Sequence, residues 1–168
     1  MNPSGFDRPR SVFCIIADHH TDHAVAEAAC AGQFTHGGVT LALGAEPDWR
    51  RATLPDDAEW RIEVAKFYFG LDLAHAFHET AEPRFLAAWE RLVRAWIGAV
   101  AVDSDPSDVI GRRIQNWIYA WDGFASAAAF RGLSPGTGEI LLGNLAAQVR
   151  HLRAHLSAEQ NHRTLELY

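Results

Sequence analysis

One run of apolar side chains, spaced three and four residues apart, constrains the fold of this chain more than any other feature. The run extends from Glu59 to Thr80 and carries Trp60, Val64, Phe67, Leu71, Ala74 and Phe77 on one stripe. Such a stripe is typical of an amphipathic helix with one buried face. The sequence therefore predicts a helix over residues 59–80.

Three further segments show the same helical spacing. A proline suited to the first helical position begins a helix over 83–99, and further helices are predicted over 107–130 and 134–156. Ser107 or Asp105 is the candidate cap of the 107–130 helix. Short loops make neighbouring helices antiparallel, so the chain is predicted to be mainly α, with stacked antiparallel helical hairpins. Periodicity alone leaves an open solenoid, a bundle and a closed toroid as alternatives.

The N-terminal part is predicted to differ from the helical part. Residues 1–10 are rich in proline and glycine and predict a flexible lead-in. A short helix around residues 24–29 follows, with Thr21 or Asp18 as its cap. Alternating residues around a Gly-Gly pair then predict a small β-hairpin over 34–44.

The last segment predicts the start of one more helix. Residues 160–168 contain apolar positions and no glycine or charged tail behind them. A native domain seldom stops inside such a helix. We therefore expect residues 11–168 to form one incomplete helical domain, truncated at its C-terminus.

Composition and charge exclude several classes of protein. The net charge is −6, and the basic residues do not gather in one block, so we expect no nucleic-acid partner. No stretch approaches the roughly 20 apolar residues of a membrane helix, and no export signal is visible, which predicts a cytoplasmic protein without a membrane partner. The two cysteines, Cys14 and Cys30, predict free thiols. We expect no cofactor, and nothing in the sequence sets an oligomeric state.

Histidines occur in three groups that suggest a metal-binding alternative. The groups are the Asp18–His23 segment, His75 with His78, and His151 with His155. Helical spacing of three or four lets each pair face one direction, but no group matches an established zinc spacing. Polar surface histidines are the favoured interpretation, and no metal site is predicted.

The 107–130 helix carries the candidate substrate-binding residues. Arg113 and Asn116 present donors for a sugar carboxylate or sulfate, and Trp117 and Trp121 present rings for a pyranose face. The alternative interpretation places Trp117 in the core and pairs Arg113 with an acidic neighbour.

Asn161 and His162 are the candidate catalytic residues. Removal of the C5 proton of a uronate in β-elimination requires neutralisation of the adjacent carboxylate, which amide and imidazole donors can provide. An Asn-His pair before a predicted helix places two such donors together. Ordinary N-capping by Asn161 is the alternative.

A series of short pieces, taken in order, carries a family resemblance. The pieces are Ala31-Gly32-Gln33-Phe34, Pro47-Asp48-Trp49, Glu59-Trp60, Leu73-Ala74-His75-Ala76-Phe77, Trp89, Trp96-Ile97, Arg113-Ile114-Gln115-Asn116-Trp117-Ile118 and Asn161-His162 with Glu166. In this order they resemble the N-terminal helical domain of the heparinase II/III family, which includes related alginate lyases. The resemblance spans most of residues 25–168 and rests on the order of the pieces.

The resemblance implies a fold and an activity. The implied fold is an incomplete (α/α) toroid, and the implied activity is β-elimination in an acidic polysaccharide, with Asn161 and His162 holding or neutralising the uronate. Two departures stand out: Gln160 replaces the first residue of the family's usual Asn-Asn-His run, and the family's catalytic tyrosine lies beyond Tyr168. We therefore expect the N-terminal part of a polysaccharide lyase, inactive alone. The alternatives are a non-catalytic carbohydrate-binding or scaffold domain and a His-rich metal-binding helical protein.

Overall fold

The computed structural model describes residues 20–50 and 54–158 and is built mainly from helices. In chain order the elements are α1 (His23–Cys30), β1 (Gln33–His36), β2 (Val39–Ala42), α2 (Ala58–Ala65), α3 (Phe69–Thr80), α4 (Pro83–Ala99), α5 (Ser107–Ser126) and α6 (Thr137–Ala154). The predicted mainly α fold with a small N-terminal β-hairpin is confirmed. The predicted lead-in over 1–10 and the helix start over 160–168 lie outside the described residues.

Helix α1 is capped by a different residue from the ones predicted. The Asp22 carboxylate accepts a hydrogen bond from the Ala24 N–H at 2.8 Å, where Thr21 or Asp18 was expected. The Asp22 N–H in turn donates to Oδ1 of Asp72 on α3, also at 2.8 Å. Asp22 therefore caps α1 with its side chain and attaches α1 to α3 through its backbone N–H.

The two short strands form an antiparallel hairpin that packs on the helices. Gly37 and Gly38 make its turn, and both have positive φ (57° and 80°), as a tight primed turn requires. From β1 the Phe34 ring enters the core, with its centroid 5.2 Å from that of Trp49 and 4.9 Å from that of Phe69. The predicted hairpin is confirmed, and Phe34 is the strand residue that is buried.

The predicted helix over 59–80 is divided into α2 and α3, so the prediction of one continuous helix was wrong. The division falls at Phe67, whose backbone is left-handed with φ of 61°. Its side chain is fully buried, and its ring centroid lies 5.2 Å from that of Trp96 and 5.4 Å from that of Trp117. A left-handed non-glycine residue costs about 1–2 kcal/mol, which this burial offsets.

The helices stack as antiparallel hairpins in two layers. A two-residue turn reverses the chain between α3 and α4, and α3 packs on α5 while α4 packs on α6. In the α3–α5 layer, a Cβ placed on Gly70 would lie 3.6 Å from the Ala120 Cβ, and one on Gly123 would lie 3.0 Å from the Ala74 Cβ. The backbones of α3 and α5 therefore approach closely and run parallel, through small residues.

The α4–α6 layer is joined through polar side chains. The Glu90 carboxylate on α4 accepts hydrogen bonds from the N–H (2.6 Å) and the hydroxyl (2.7 Å) of Ser134. One turn later, Nη1 of Arg94 donates to the Thr137 hydroxyl at 3.1 Å. Ser134 is thereby held by α4, and α6 begins three residues later than predicted, at Thr137.

The buried side chain of Arg113 on α5 bonds three other segments of the chain: the α4–α5 loop, the end of α2 and α6. Nη1 of Arg113 donates to Oδ2 of Asp105 (2.8 Å) and to the Ala65 carbonyl oxygen (3.1 Å), and Nε donates to Oε1 of Gln148 (3.1 Å). Its guanidinium carbon lies 4.9 Å from the centroid of the Trp96 ring. Burial lowers the pKa of the Arg113 guanidinium, and the Asp105 carboxylate opposes that shift.

Asn116 completes this arrangement at the division between α2 and α3. Its Nδ2 donates to the Lys66 carbonyl oxygen at 2.8 Å, next to the Ala65 carbonyl that Arg113 binds. Two side chains of α5 therefore satisfy backbone acceptors that become available where the helix is divided. Asp105 bonds to Arg113 instead of capping α5, whose N-cap position is Pro106 without a side-chain cap.

Among the described residues, no helix is both long and apolar enough to cross a membrane.

We expect Ala81→Gly to stabilise the protein. Ala81 ends α3 in the left-handed conformation, with φ of 60° and its N–H bonded to the Phe77 carbonyl oxygen. Glycine adopts this conformation without the Cβ penalty, so the free energy of unfolding should rise by about 1 kcal/mol in urea titrations. The control Ala87→Gly, on an exposed position inside α4, should lower it by about 0.5–1 kcal/mol. Equal destabilisation by both changes would contradict the prediction.

We expect Arg113→Met to destabilise the protein strongly. The substitution removes the Arg113 donor from the Asp105 carboxylate and from the Ala65 carbonyl oxygen, and breaking a buried ion pair costs about 3–5 kcal/mol. Urea unfolding followed by tryptophan fluorescence measures this loss. Arg150→Met, on the exposed side of α6, is the matched control and should change stability by less than about 0.5 kcal/mol. Similar unfolding midpoints for the two variants would overturn the structural role of Arg113.

Candidate functional site

Three of the predicted substrate-binding residues lie in the interior. Arg113 is 1% exposed, Asn116 2% and Trp117 0%. Arg113 and Asn116 bond to protein groups, and the Trp117 ring packs on Phe67. The expectation that these residues line a groove is therefore corrected. The alternative interpretation, with Trp117 in the core and Arg113 paired with an acidic neighbour, agrees with the structure.

Helical geometry explains the correction. Positions 113, 116, 117 and 120 share one face of α5, and that face packs into the core. The indole Nε1 atoms of Trp49, Trp89 and Trp117 are buried without a hydrogen-bond partner in the part of the chain that the structure describes. These rings therefore contribute apolar packing, not sugar stacking.

Trp121 has a different environment. It is half-buried, and its ring centroid lies 5.3 Å from that of Phe130 in a tilted arrangement. It follows Arg113 by eight residues, which is about 12 Å along the helix axis. The structure therefore does not bring Trp121 into one groove with Arg113 and Trp117.

The predicted catalytic pair, Asn161 and His162, lies outside the described residues. The structure nevertheless shows at which end the chain leaves α6. Arg113 in the first half of α5 bonds Gln148 in the second half of α6, so these helices run antiparallel. Helix α6 therefore ends at the same end of the domain at which α5 begins.

A polar and aromatic surface lies at this end of α5. Arg112, Gln115 and Tyr119 follow one another at three and four residues on the half-buried face of the helix, and Tyr68 lies beside them. Nη1 of Arg112 donates to Oε1 of Gln115 at 2.6 Å, and Nε2 of Gln115 lies 3.3 Å from the Tyr119 hydroxyl. We call these four residues the Arg112 ledge.

The ledge could have been separated from the core by a closer reading of the periodicity. The apolar positions Val109, Ile110, Ile114 and Trp117 place residue 113 within the buried stripe of the helix. They place residue 112 outside it. The Arg112-Arg113 pair therefore divides between two faces, and the arginine accessible to solvent is Arg112.

A cavity of about 410 Å³ adjoins the ledge at Tyr68. It lies between α1, the β-hairpin and the start of α3, with Phe34, Val64 and Phe69 among its apolar lining residues. His20 and His36 supply polar groups to the same lining. Tyr68 therefore borders both this cavity and the side chain of Arg112.

The histidine groups make contacts with the protein. Nε2 of His75 lies 3.3 Å from Oε1 of Glu79, and the His151 and His155 rings stack with centroids 4.2 Å apart. Residues 20–50 and 54–158 hold no group of three or more side chains suited to a metal ion. Asp18 and His19, from the first predicted group, lie outside these ranges.

Cys30 is a free thiol, and burial raises its pKa. This agrees with the expectation of free thiols at the one cysteine that can be assessed, since Cys14 is outside the described residues.

Comparison with known proteins gives one family and one fold. The sequence matches the family described as Heparinase II/III N-terminus over residues 15–168. Heparan sulfate lyase HepC from Pedobacter heparinus superposes with a TM-score of 0.74 at 19% identity, covering 90% of this chain and 25% of that chain. A mutant of the same lyase gives a TM-score of 0.71 at 19% identity, covering 96% and 26%. No curated protein matches the chain significantly.

The chain thus spans about a quarter of the length of the solved lyase that it matches. At 19% identity the structural likeness shows the fold, which is the helical fold predicted from the resemblance. The family match covers all of the elements from α1 to α6 and extends over Asn161 and His162. On this evidence the chain belongs to the heparinase II/III family and carries the family's N-terminal domain.

Proposed function

We propose that this chain is the N-terminal part of a polysaccharide lyase that cleaves uronate-containing glycans, of the heparan sulfate, heparin or alginate kind, by β-elimination. The observation that carries the proposal is the family match, which runs through the candidate pair Asn161-His162. The solved neighbour of similar fold is a heparan sulfate lyase. An acidic polysaccharide is accordingly the proposed substrate.

Asn161 and His162 are the proposed catalytic residues of this chain. In β-elimination the C5 proton of a uronate becomes removable once the charge of the adjacent carboxylate is neutralised by hydrogen-bond donors. The Asn161 amide and the His162 imidazole are such donors, and either can bind a carboxylate oxygen. A base then takes the proton, and an acid protonates the leaving glycosidic oxygen.

The buried residues of α5 have a supporting role in this proposal. Arg113 bonds Gln148 on α6, six residues before that helix ends at Ala154. It thereby fixes the end of the helix from which the chain continues toward Asn161. Trp121 remains a proposed sugar contact, because its ring is half-buried and not enclosed.

The proposal assigns the proton-transfer groups to segments beyond Tyr168, following the family resemblance. We therefore expect the 168-residue chain to release no unsaturated uronate product from heparan sulfate, heparin or alginate. The measurement is ultraviolet absorbance of the product. Product release by these residues alone would contradict this division of roles.

In the longest protein that the gene encodes, Asn161→Ala should lower kcat by roughly 10²–10³-fold with a smaller change in KM. The reason is that carboxylate neutralisation is needed most in the transition state. Glu139→Gln, an exposed position at the opposite end of α6, is the control and should leave kcat unchanged. Glycan binding without product by the unsubstituted protein would favour the non-catalytic alternative, a carbohydrate-binding domain.

A further inference from the structure

We propose that the cleft between α4 and the start of α6 binds an acidic group of a glycan, a carboxylate or a sulfate, through Arg91 and Arg94. We call it the α4–α6 cleft. Its volume is about 520 Å³, which is within the range of roughly 300–1,000 Å³ that is usual for ligand sites. The identity of the ligand as a glycan rests on the proposed function, whereas the site itself is built from described residues.

One face of α4 forms the floor of the cleft. Ala87, Arg91, Arg94 and Ala95 recur at spacings of three and four residues, so their side chains project from the same side of the helix. The short alanine side chains leave room above the helix, and the two longer side chains border that room. The guanidiniums of Arg91 and Arg94 therefore line the same space.

Arg91 is held by the backbone of the N-terminal part of the domain. Its Nε donates to the Ala45 carbonyl oxygen at 2.6 Å, and its Nη2 donates to the Cys30 carbonyl oxygen at 3.2 Å. Both acceptors are neutral, so they orient the guanidinium without neutralising its charge. A guanidinium carries five N–H donors, and those of Nη1 take no part in these two contacts.

Arg94 is held by the first residue of α6. Its Nη1 donates to the Thr137 hydroxyl at 3.1 Å, which is again a neutral acceptor. The donors of Nε and Nη2 take no part in this contact. Within residues 20–50 and 54–158, neither Arg91 nor Arg94 forms an ion pair. Two charged guanidiniums with remaining donors on one cleft match the oxygens of a carboxylate or a sulfate.

Two carboxylates also line the cleft, and their positions decide where an anion binds. Glu90 is buried, and its two oxygens accept from Ser134, at 2.6 Å from the N–H and at 2.7 Å from the hydroxyl. Its charge is thereby directed to the segment before α6. Glu46 is exposed and follows Ala45, the residue that bonds Arg91. Repulsion from Glu46 therefore disfavours an anion beside Arg91 more than one beside Arg94.

The remaining lining residues select a polar ligand. Ser134 and Thr137 carry hydroxyl groups, and the other two described residues of the lining are alanines. Hydroxyl and carboxylate groups form hydrogen bonds with sugar hydroxyls next to an anionic substituent. A nucleic acid would require a wider basic surface, because such surfaces neutralise several phosphates at once. The net charge of −6 also disfavours a nucleic acid.

The position of the cleft distinguishes it from the proposed catalytic pair. The cleft lies at the start of α6, whereas the chain continues toward Asn161 from the end of that helix. With 18 residues, α6 is about 27 Å long. A sugar unit held in the cleft is therefore a different unit from the one that Asn161 contacts. The α4–α6 cleft is an accessory site that retains a long polysaccharide on the protein.

Titration calorimetry of the 168-residue chain with heparan sulfate oligosaccharides of defined length tests the site. Arg94→Gln should weaken binding roughly 10- to 100-fold, because charge-assisted hydrogen bonds are lost. Arg94→Lys keeps the charge but not the planar donors and should give an intermediate loss. Arg150→Gln, an exposed arginine on α6 outside the cleft, is the matched control and should bind like the unsubstituted chain. Circular dichroism and the thermal midpoint verify that all variants are folded.

Glu46→Gln should act in the opposite direction. Removal of the carboxylate beside Arg91 should tighten binding roughly 1.5- to 5-fold, the range for an exposed charge. Glu59→Gln, an exposed glutamate on α2 outside the cleft, is the matched control and should leave the affinity unchanged. Equal tightening by Glu46→Gln and Glu59→Gln would show an effect of net charge alone and would contradict the site.

Modified probes identify the acidic group and the class of ligand. A desulfated oligosaccharide retains only carboxylates, and a carboxyl-reduced one retains only sulfates. The probe whose affinity is more sensitive to Arg94→Gln identifies the group that the cleft binds. A glutamate peptide of equal charge should bind more weakly. If it binds as tightly and depends on Arg94 in the same way, the assignment to a glycan is wrong.

Equal weakening by Arg94→Gln and Arg150→Gln would overturn the site, as would unchanged affinity of Arg94→Gln or no binding of any acidic probe. The lyase assay of the longest encoded protein, with and without Asn161→Ala, decides the proposed function independently. In that protein Arg94→Gln should raise KM for long chains without lowering kcat, and a lowered kcat would contradict the accessory role. Binding with the expected dependence on Arg94 but without product would retain the cleft and refute the lyase.

Discussion

The buried guanidinium of Arg113 is the constraint on which one whole end of this domain depends. A charged group in an apolar interior is tolerated only when its donors are matched, and here the partners come from different parts of the chain. Asp105 from the α4–α5 loop, the Ala65 carbonyl from the end of α2 and Gln148 from α6 all converge on it. An arrangement of helices that displaced Asp105 would leave the buried charge uncompensated, and one that displaced Gln148 or Ala65 would leave a buried donor without its acceptor. The network thus favours one arrangement over other packings of the same amphipathic helices.

The adjacent residues Arg112 and Arg113 of α5 lie in different environments. Arg113 lies on the buried face and organises the backbone around it, while Arg112, one residue earlier, lies on the half-buried face beside Tyr68. Position on the helix therefore separates a buried structural arginine from one at the half-buried surface.

The amino-acid sequence was sufficient for the features that depend on local patterns. The apolar stripes located α4, α5 and α6 to within four residues at each end, the Gly37-Gly38 pair located the hairpin, and the ordered pieces identified the family. The division of the 59–80 helix could not be predicted, because the residue that leaves the helical conformation is a phenylalanine, while the nearby Gly70 lies inside α3. The left-handed backbone of Phe67 places its ring against Trp96 and Trp117. These two residues lie on other helices and come together only when the chain has folded.

The candidate site could likewise be predicted only in part from the sequence. Side-chain chemistry identified Arg113 and Trp117 as groups that can bind a sugar, but burial decides whether they meet one, and burial depends on which helix packs against which face. The buried stripe of α5 contained this information for position 113. It did not contain the approach of Tyr68 to Arg112, which joins residues far apart in the sequence.

The small residues between α3 and α5 have a consequence for the curvature of the stacked hairpins. Gly70 with Ala120, and Ala74 with Gly123, bring these two helices close together, whereas the longer side chain of Arg94 on α4 reaches Thr137 at the start of α6. When the helices of one layer lie closer together than those of the other, a stack of helical hairpins curves toward the closer layer. A small rotation per repeat sets the curvature of stacked helical pairs. These four glycine and alanine residues therefore favour curvature of the stacked hairpins toward the α3–α5 layer.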